Sequence, residues 1–100
     1  MLIYNVTMNV DHEIVAEWLQ WMKSVHIPDV MATGKFTEYR MLRMTGQADS
    51  GLTYAIQYTC ADHATLNDYM ANHAPGLQKE HNERYGHKAV GFRTVLEIID

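Results

Sequence analysis

The chain has 100 residues, 47% of them apolar, with seven methionines, one cysteine and a net charge of −4. That length supports one domain over residues 1–100 with a thin core, since so small a domain buries only about 60–65% of its extended-chain surface. The composition excludes several classes: there is no basic block for nucleic acid, no apolar run near the roughly 18 residues of a membrane span, no secretory leader pattern in Met1–Asn5, and no second cysteine for an internal disulfide, so a cytoplasmic protein is expected.

Residues 2–10 alternate, with Leu2, Tyr4, Val6, Met8 and Val10 on one side and Asn5, Thr7 and Asn9 on the other. This is the period of a half-buried strand. Asp11 is placed to cap a helix that carries Ile14, Trp18, Trp21, Met22 and Val25 at helical spacing. The spacing predicts one tryptophan inward and the other at the rim. Ile27 precedes Pro28 and is expected to leave helical geometry, with Pro28 opening a short turn that Gly34 ends. Residues 35–46 and 52–60 read as strands joined by a hairpin loop, Gln47–Gly51. Asp62 caps a second helix carrying Leu66, Tyr69, Met70 and His73. Pro75 breaks it, and a further piece carries Leu77, His81, Arg84 and Tyr85 up to Gly86. Residues 88–99 form the last strand.

The order βαββαβ is that of the α+β, ferredoxin-like fold: a four-stranded antiparallel sheet with two Pro-broken helices on one face. Its halves repeat at an offset of roughly 50 residues, each with a His-x-Pro segment, His26–Pro28 and His73–Pro75. The apolar rows of the first and third strands should face the helices. The opposite face is then polar at its centre, through Asn5, Thr7, Asn9, Thr53, Gln57 and Thr59, while the edge strands are apolar on both sides. That pattern implies a homodimer formed through the sheet face.

His26 and His73 are the candidate catalytic histidines, as proton acceptors or ligand groups at a pocket between helices and sheet. The competing reading pairs both with carbonyls freed at the proline breaks. Tyr4, Tyr54, Tyr58, Trp18, Trp21 and His81 are candidate pocket residues, because three phenols beneath two helices require hydrogen-bond partners or a small cavity. Aromatic core filling is the alternative. No metal-ligand spacing is present, and no cofactor is expected: there is no HxxxH, CxxC, phosphate loop or dinucleotide fingerprint.

The segments Ile3–Thr7, Trp18–Met22 leading into His26–Gly34, Tyr54–Tyr58 and His73–Tyr85 resemble the bacterial domain-of-unknown-function family 4286 over essentially the whole chain. The resemblance carries no established activity. It implies a fold similar to the dimeric α+β barrels, in which two ferredoxin-like sheets pack face to face. That superfamily includes cofactor-independent monooxygenases, isomerases, stress-response proteins and haem-degrading monooxygenases. The haem-degrading group uses an Asn on the first strand with a Trp, and a His on the second helix. Here Asn5 and His73 lie in similar places, but both tryptophans are on the first helix and strand parity turns Asn5 away from His73. The expectation is a small-molecule-binding barrel protein. If it is an enzyme, oxygenation or isomerisation of an aromatic or enolisable substrate fits. A structural or interaction module without chemistry is the other class.

Overall fold

The computed structural model describes residues 1–46 and 51–100. The expected hairpin loop falls mainly on residues 47–50, outside the described residues. In chain order the elements are β1 (Leu2–Val10), α1 (Val15–Trp21), a π-helical segment (Met22–His26), α2 (Ile27–Ala32), β2 (Glu38–Arg43), β3 (Leu52–Cys60), α3 (His63–Asn72), α4 (Ala74–Tyr85), a short 3₁₀ turn (Gly86–Lys88) and β4 (Ala89–Glu97).

The strands form one sheet in the order β2-β3-β1-β4, each neighbouring pair antiparallel. This is the ferredoxin-like α+β arrangement expected from the element order. The two long strands with clean alternation, β1 and β3, are the central ones. In their register Tyr4 pairs with Tyr58, Val6 with Ile56 and Met8 with Tyr54. Paired residues project to the same side. The side chains of Leu2, Tyr4, Met8, Val10, Tyr54, Ile56 and Tyr58 therefore form one buried layer with Trp18, Ile27, Val30, Leu66 and Tyr69 of the helices. Asn5 pairs with Gln57 on the opposite face.

Three local expectations are corrected. Asp11 caps a turn and not the helix itself: its Oδ1 accepts from the Glu13 N–H at 2.8 Å, and α1 begins four residues later with Ile14 as an N-cap that makes no side-chain bond. Ile27 does not leave helical geometry. Its φ and ψ are −63° and −44°, and its N–H donates to the Met22 carbonyl five residues back. Widening the helix to a π turn gives room for the Pro28 ring, which in an α turn would press on the carbonyl of Ser24. The Ser24 hydroxyl donates to the Gln20 carbonyl at 2.7 Å, a contact that itself favours bending. Finally, both tryptophans are buried, Trp18 at 0% and Trp21 at 7% exposure, because residues three apart share one helix face.

The second proline does divide its helix. His73 leaves helical geometry at φ −125°, and Pro75 sits in the first turn of α4, where its missing N–H costs nothing. Asp62 caps α3 as expected, its Oδ1 accepting from both the N–H (2.8 Å) and the hydroxyl (2.7 Å) of Thr65. Both edge strands are shorter than expected. Before β2, Phe36 turns into the core between Tyr58 and Tyr69, with ring centroids 5.1 and 4.8 Å away, so residues 35–37 connect layers before pairing begins in earnest.

Candidate functional site

A cleft lies between the helical layer and the sheet, at the edge closed by β4. It has two lobes of about 30 Å³ each. Val6, Met22, His26, Gln78 and Arg93 line both. Tyr4, Tyr58 and Tyr69 with the apolar Val30, Ile56 and Leu77 complete the first lobe, Met8 and His81 the second.

The positions follow from the elements. His26 ends the π segment, and the wider turn that accommodates Pro28 also sets where its ring emerges. His81 and Gln78 lie three apart on α4 and so share a face. Arg93 pairs with Val6 and therefore projects to the helix side of the sheet. Since β4 is an edge strand, the guanidinium enters from the rim.

The rings pack tightly. His26 and His81 have centroids 5.9 Å apart, with Trp21 at 5.2 Å from the first and 5.9 Å from the second. The Trp18 indole Nε1–H donates to Nε2 of His81 at 3.0 Å, with both groups buried. That bond holds His81 in the neutral tautomer with its proton on Nδ1. Nδ1 of His26 is buried without a hydrogen-bond partner among the described residues.

Electrostatics follow from burial. Desolvation, then His81 and Arg93, hold the His26 pKa down to about 4. Burial, then Arg93, lowers that of His81. Burial raises the phenols of Tyr4, Tyr58 and Tyr69, with Arg93 opposing the rise at Tyr4 and Tyr69. Near neutral pH the histidines are uncharged and the phenols protonated. The Arg93 guanidinium is then the one formal charge in the lining. The ion pairs among the described residues are Lys35–Asp68 and Lys88–Glu13, and Arg93 is in neither.

Of the residues singled out from sequence, His26, His81, Tyr4 and Tyr58 meet at this cleft. Trp18 and Trp21 stand behind it, orienting the histidine rings. Tyr54 is buried beneath Trp18, centroids 5.4 Å apart, away from both lobes. His73 is not at the cleft: its ring stacks on Tyr69 at 6.2 Å and its backbone N–H donates to the Tyr69 carbonyl, closing α3. The two related histidines thus part company, because the first lies in a helix that stays continuous and the second at a true break. Arg93 and Gln78 were not singled out. The available signal for Arg93 was a lone cation amid the apolar and β-branched residues of β4, but its side of the sheet depends on register. Among the described residues no three His, Cys, Asp or Glu side chains gather as a metal set does.

Comparison with solved structures places the fold among known ones. HapK from Hahella chejuensis superposes with a TM-score of 0.75 at 13% identity, covering 99% of this chain and 93% of that one. A dimeric ferredoxin-like protein from an uncultured marine organism gives 0.71 at 12%, covering 99% and 95%. SnoaB, a cofactor-independent oxygenase from Streptomyces nogalater, gives 0.71 at 15%, covering 99% and 94%. At these identities the likeness is one of fold. No curated protein matches the sequence. A family model does, over residues 1–99, and it spans both His-x-Pro segments, all four strands and every residue that lines the cleft. The chain belongs to the family described as Domain of unknown function (DUF4286).

Proposed function

We propose that the protein is a small-molecule-binding homodimer of the α+β barrel type, one domain over residues 1–100, with a ligand site between helices and sheet in each protomer. The observation that carries this reading is the cleft itself: it is lined by His26, whose Nδ1 is buried without a partner among the described residues, and by Arg93, which pairs with no carboxylate among those residues. A buried polar atom left unpaired costs roughly 1–3 kcal/mol, which a ligand can recover. His73 has no part in this site, whereas His26 and His81 do. The pairing of histidines with break carbonyls finds no support at His26, which makes no such bond.

The dimer rests on the other sheet face. Phe92 (61% exposed) and Val90 and Leu96 on β4, with Leu42 on β2, flank a polar centre where Asn5 Oδ1 is buried without a partner among the described residues. Two proteins of similar fold are described as dimeric. A single buried cysteine fits a reducing, cytoplasmic setting.

If the site is catalytic, cofactor-independent oxygenation or isomerisation suits it, and a neutral His26 would be the proton acceptor. The likeness to SnoaB favours that class over a bare structural module. The test is sedimentation, which should give twice the monomer mass, combined with NMR of the histidine rings during a small-molecule screen. Ligands that shift the His26 resonances while leaving those of the exposed His12 and His63 unmoved support the site. A monomer whose His26 responds to nothing refutes both halves.

A further inference from the structure

The lining of the cleft specifies the chemistry of its occupant. In a chain of net charge −4, Arg93, an exposed residue at the rim, stands beside two neutral histidines and three protonated phenols, with no carboxylate in the lining among the described residues. An arginine in such surroundings is a ready receptor for a carboxylate, which matches its two parallel N–H bonds. The groups facing His26 from the packed elements are Tyr4 on β1, Tyr58 on β3, Tyr69 on α3, His81 on α4 and Arg93 on β4. His81 already uses its acceptor nitrogen on Trp18, whereas no partner fixes the tautomer of His26, so its unpaired Nδ1 is the imidazole nitrogen left for a ligand.

Volume sets the size. A water needs about 10–15 Å³ by this measure, so each 30 Å³ lobe holds a fragment of only a few heavy atoms. A polycyclic or even monocyclic aromatic does not fit without rearrangement. The residues shared by the lobes include two unbranched, flexible ones, Met22 and Gln78, so a ligand a little larger than one lobe is admitted by their movement.

Resting on the small-molecule reading above, we infer that the cleft binds a compact 2-hydroxy carboxylate of about two to four carbons, its carboxylate on the Arg93 guanidinium and its hydroxyl donating to Nδ1 of His26.

The experiment uses L- and D-lactate, propionate and lactamide as probes, titrated into the intact protein by calorimetry with NMR observation of His26. Lactate is expected to bind at least about tenfold more tightly than lactamide, which lacks the charge, and severalfold more tightly than propionate, which lacks the hydroxyl. Arg93→Gln should erase the preference over lactamide, and Arg93→Lys should keep part of it. His26→Gln, with folding checked by circular dichroism, should alter the preference over propionate but not that over lactamide. Equal binding of lactate and lactamide overturns the anion assignment while leaving a small-molecule site. Equal binding of lactate and propionate overturns the role given to His26. No probe perturbing His26, while neutral or aromatic compounds do, overturns the inference alone. If no compound of any class does so, the site reading falls with it.

Discussion

His26 is a base kept uncharged by its surroundings, and that has a consequence for stability. Its folded pKa is about 4 against an ordinary 6.5. Between those values the unfolded chain binds a proton that the folded chain refuses. The stabilisation is therefore complete above about pH 6.5 and is lost as pH falls toward 4. At most about 3 kcal/mol is involved, less what solvent reaching the ring removes. The burial of His81 acts in the same direction. Urea midpoints measured from pH 7 to 4 should fall through this window for the native protein and fall less for His26→Gln; parallel curves would contradict it. Trp18 offers a second test. Trp18→Phe keeps an aromatic ring but leaves the buried Nε2 of His81 without its donor, at a cost of about 1–3 kcal/mol in urea denaturation at pH 7. Histidine positions were legible in the sequence, as were the tyrosines. Which histidine keeps a free nitrogen was not, because that depends on a tryptophan sixty-three residues away in sequence.

The two His-x-Pro segments show how one local signal is resolved differently by its element. Pro28 is absorbed by a π turn within a continuous helical path, while Pro75 opens a new helix after His73. Sequence periodicity located both helices and both prolines, but hydrogen-bond register decides between a widened turn and a break. The strands were more readable, since period-two alternation fixed the inward rows of β1 and β3. The pairing of β4 with β1 has its own requirement. A Cβ built on Gly91 would lie 1.8 Å from the Thr7 carbonyl oxygen, which is backbone and cannot move aside independently. Gly91→Ala should therefore push β4 from β1, destabilise by about 2 kcal/mol or more, and move Arg93 from the cleft. A thermal melt of this variant unchanged from the native one would show that β4 accommodates the methyl group.

Taken whole, the described chain is a slab of 37 × 30 × 19 Å, one sheet under one helical layer. Its uncovered face has oily margins and an amide centre, the pattern on which the proposed sheet-face dimer rests. Phe92→Glu should yield monomers by sedimentation while circular dichroism remains native, since Phe92 touches the face and not the core; a dimer that persists would point to another interface. Among the described residues no helix is long and apolar enough to cross a membrane. By itself the sequence determined the order of elements, the sidedness of the central strands and the presence of histidines and phenols near one layer, because these follow from local periodicity and residue chemistry. Only the tertiary structure decided that His26 and His81 meet while His73 turns to Tyr69, and that Arg93 joins them from the far end of the chain. Those outcomes depend on strand register and helix packing, which are set by contacts between residues distant in sequence and so leave no local pattern to read.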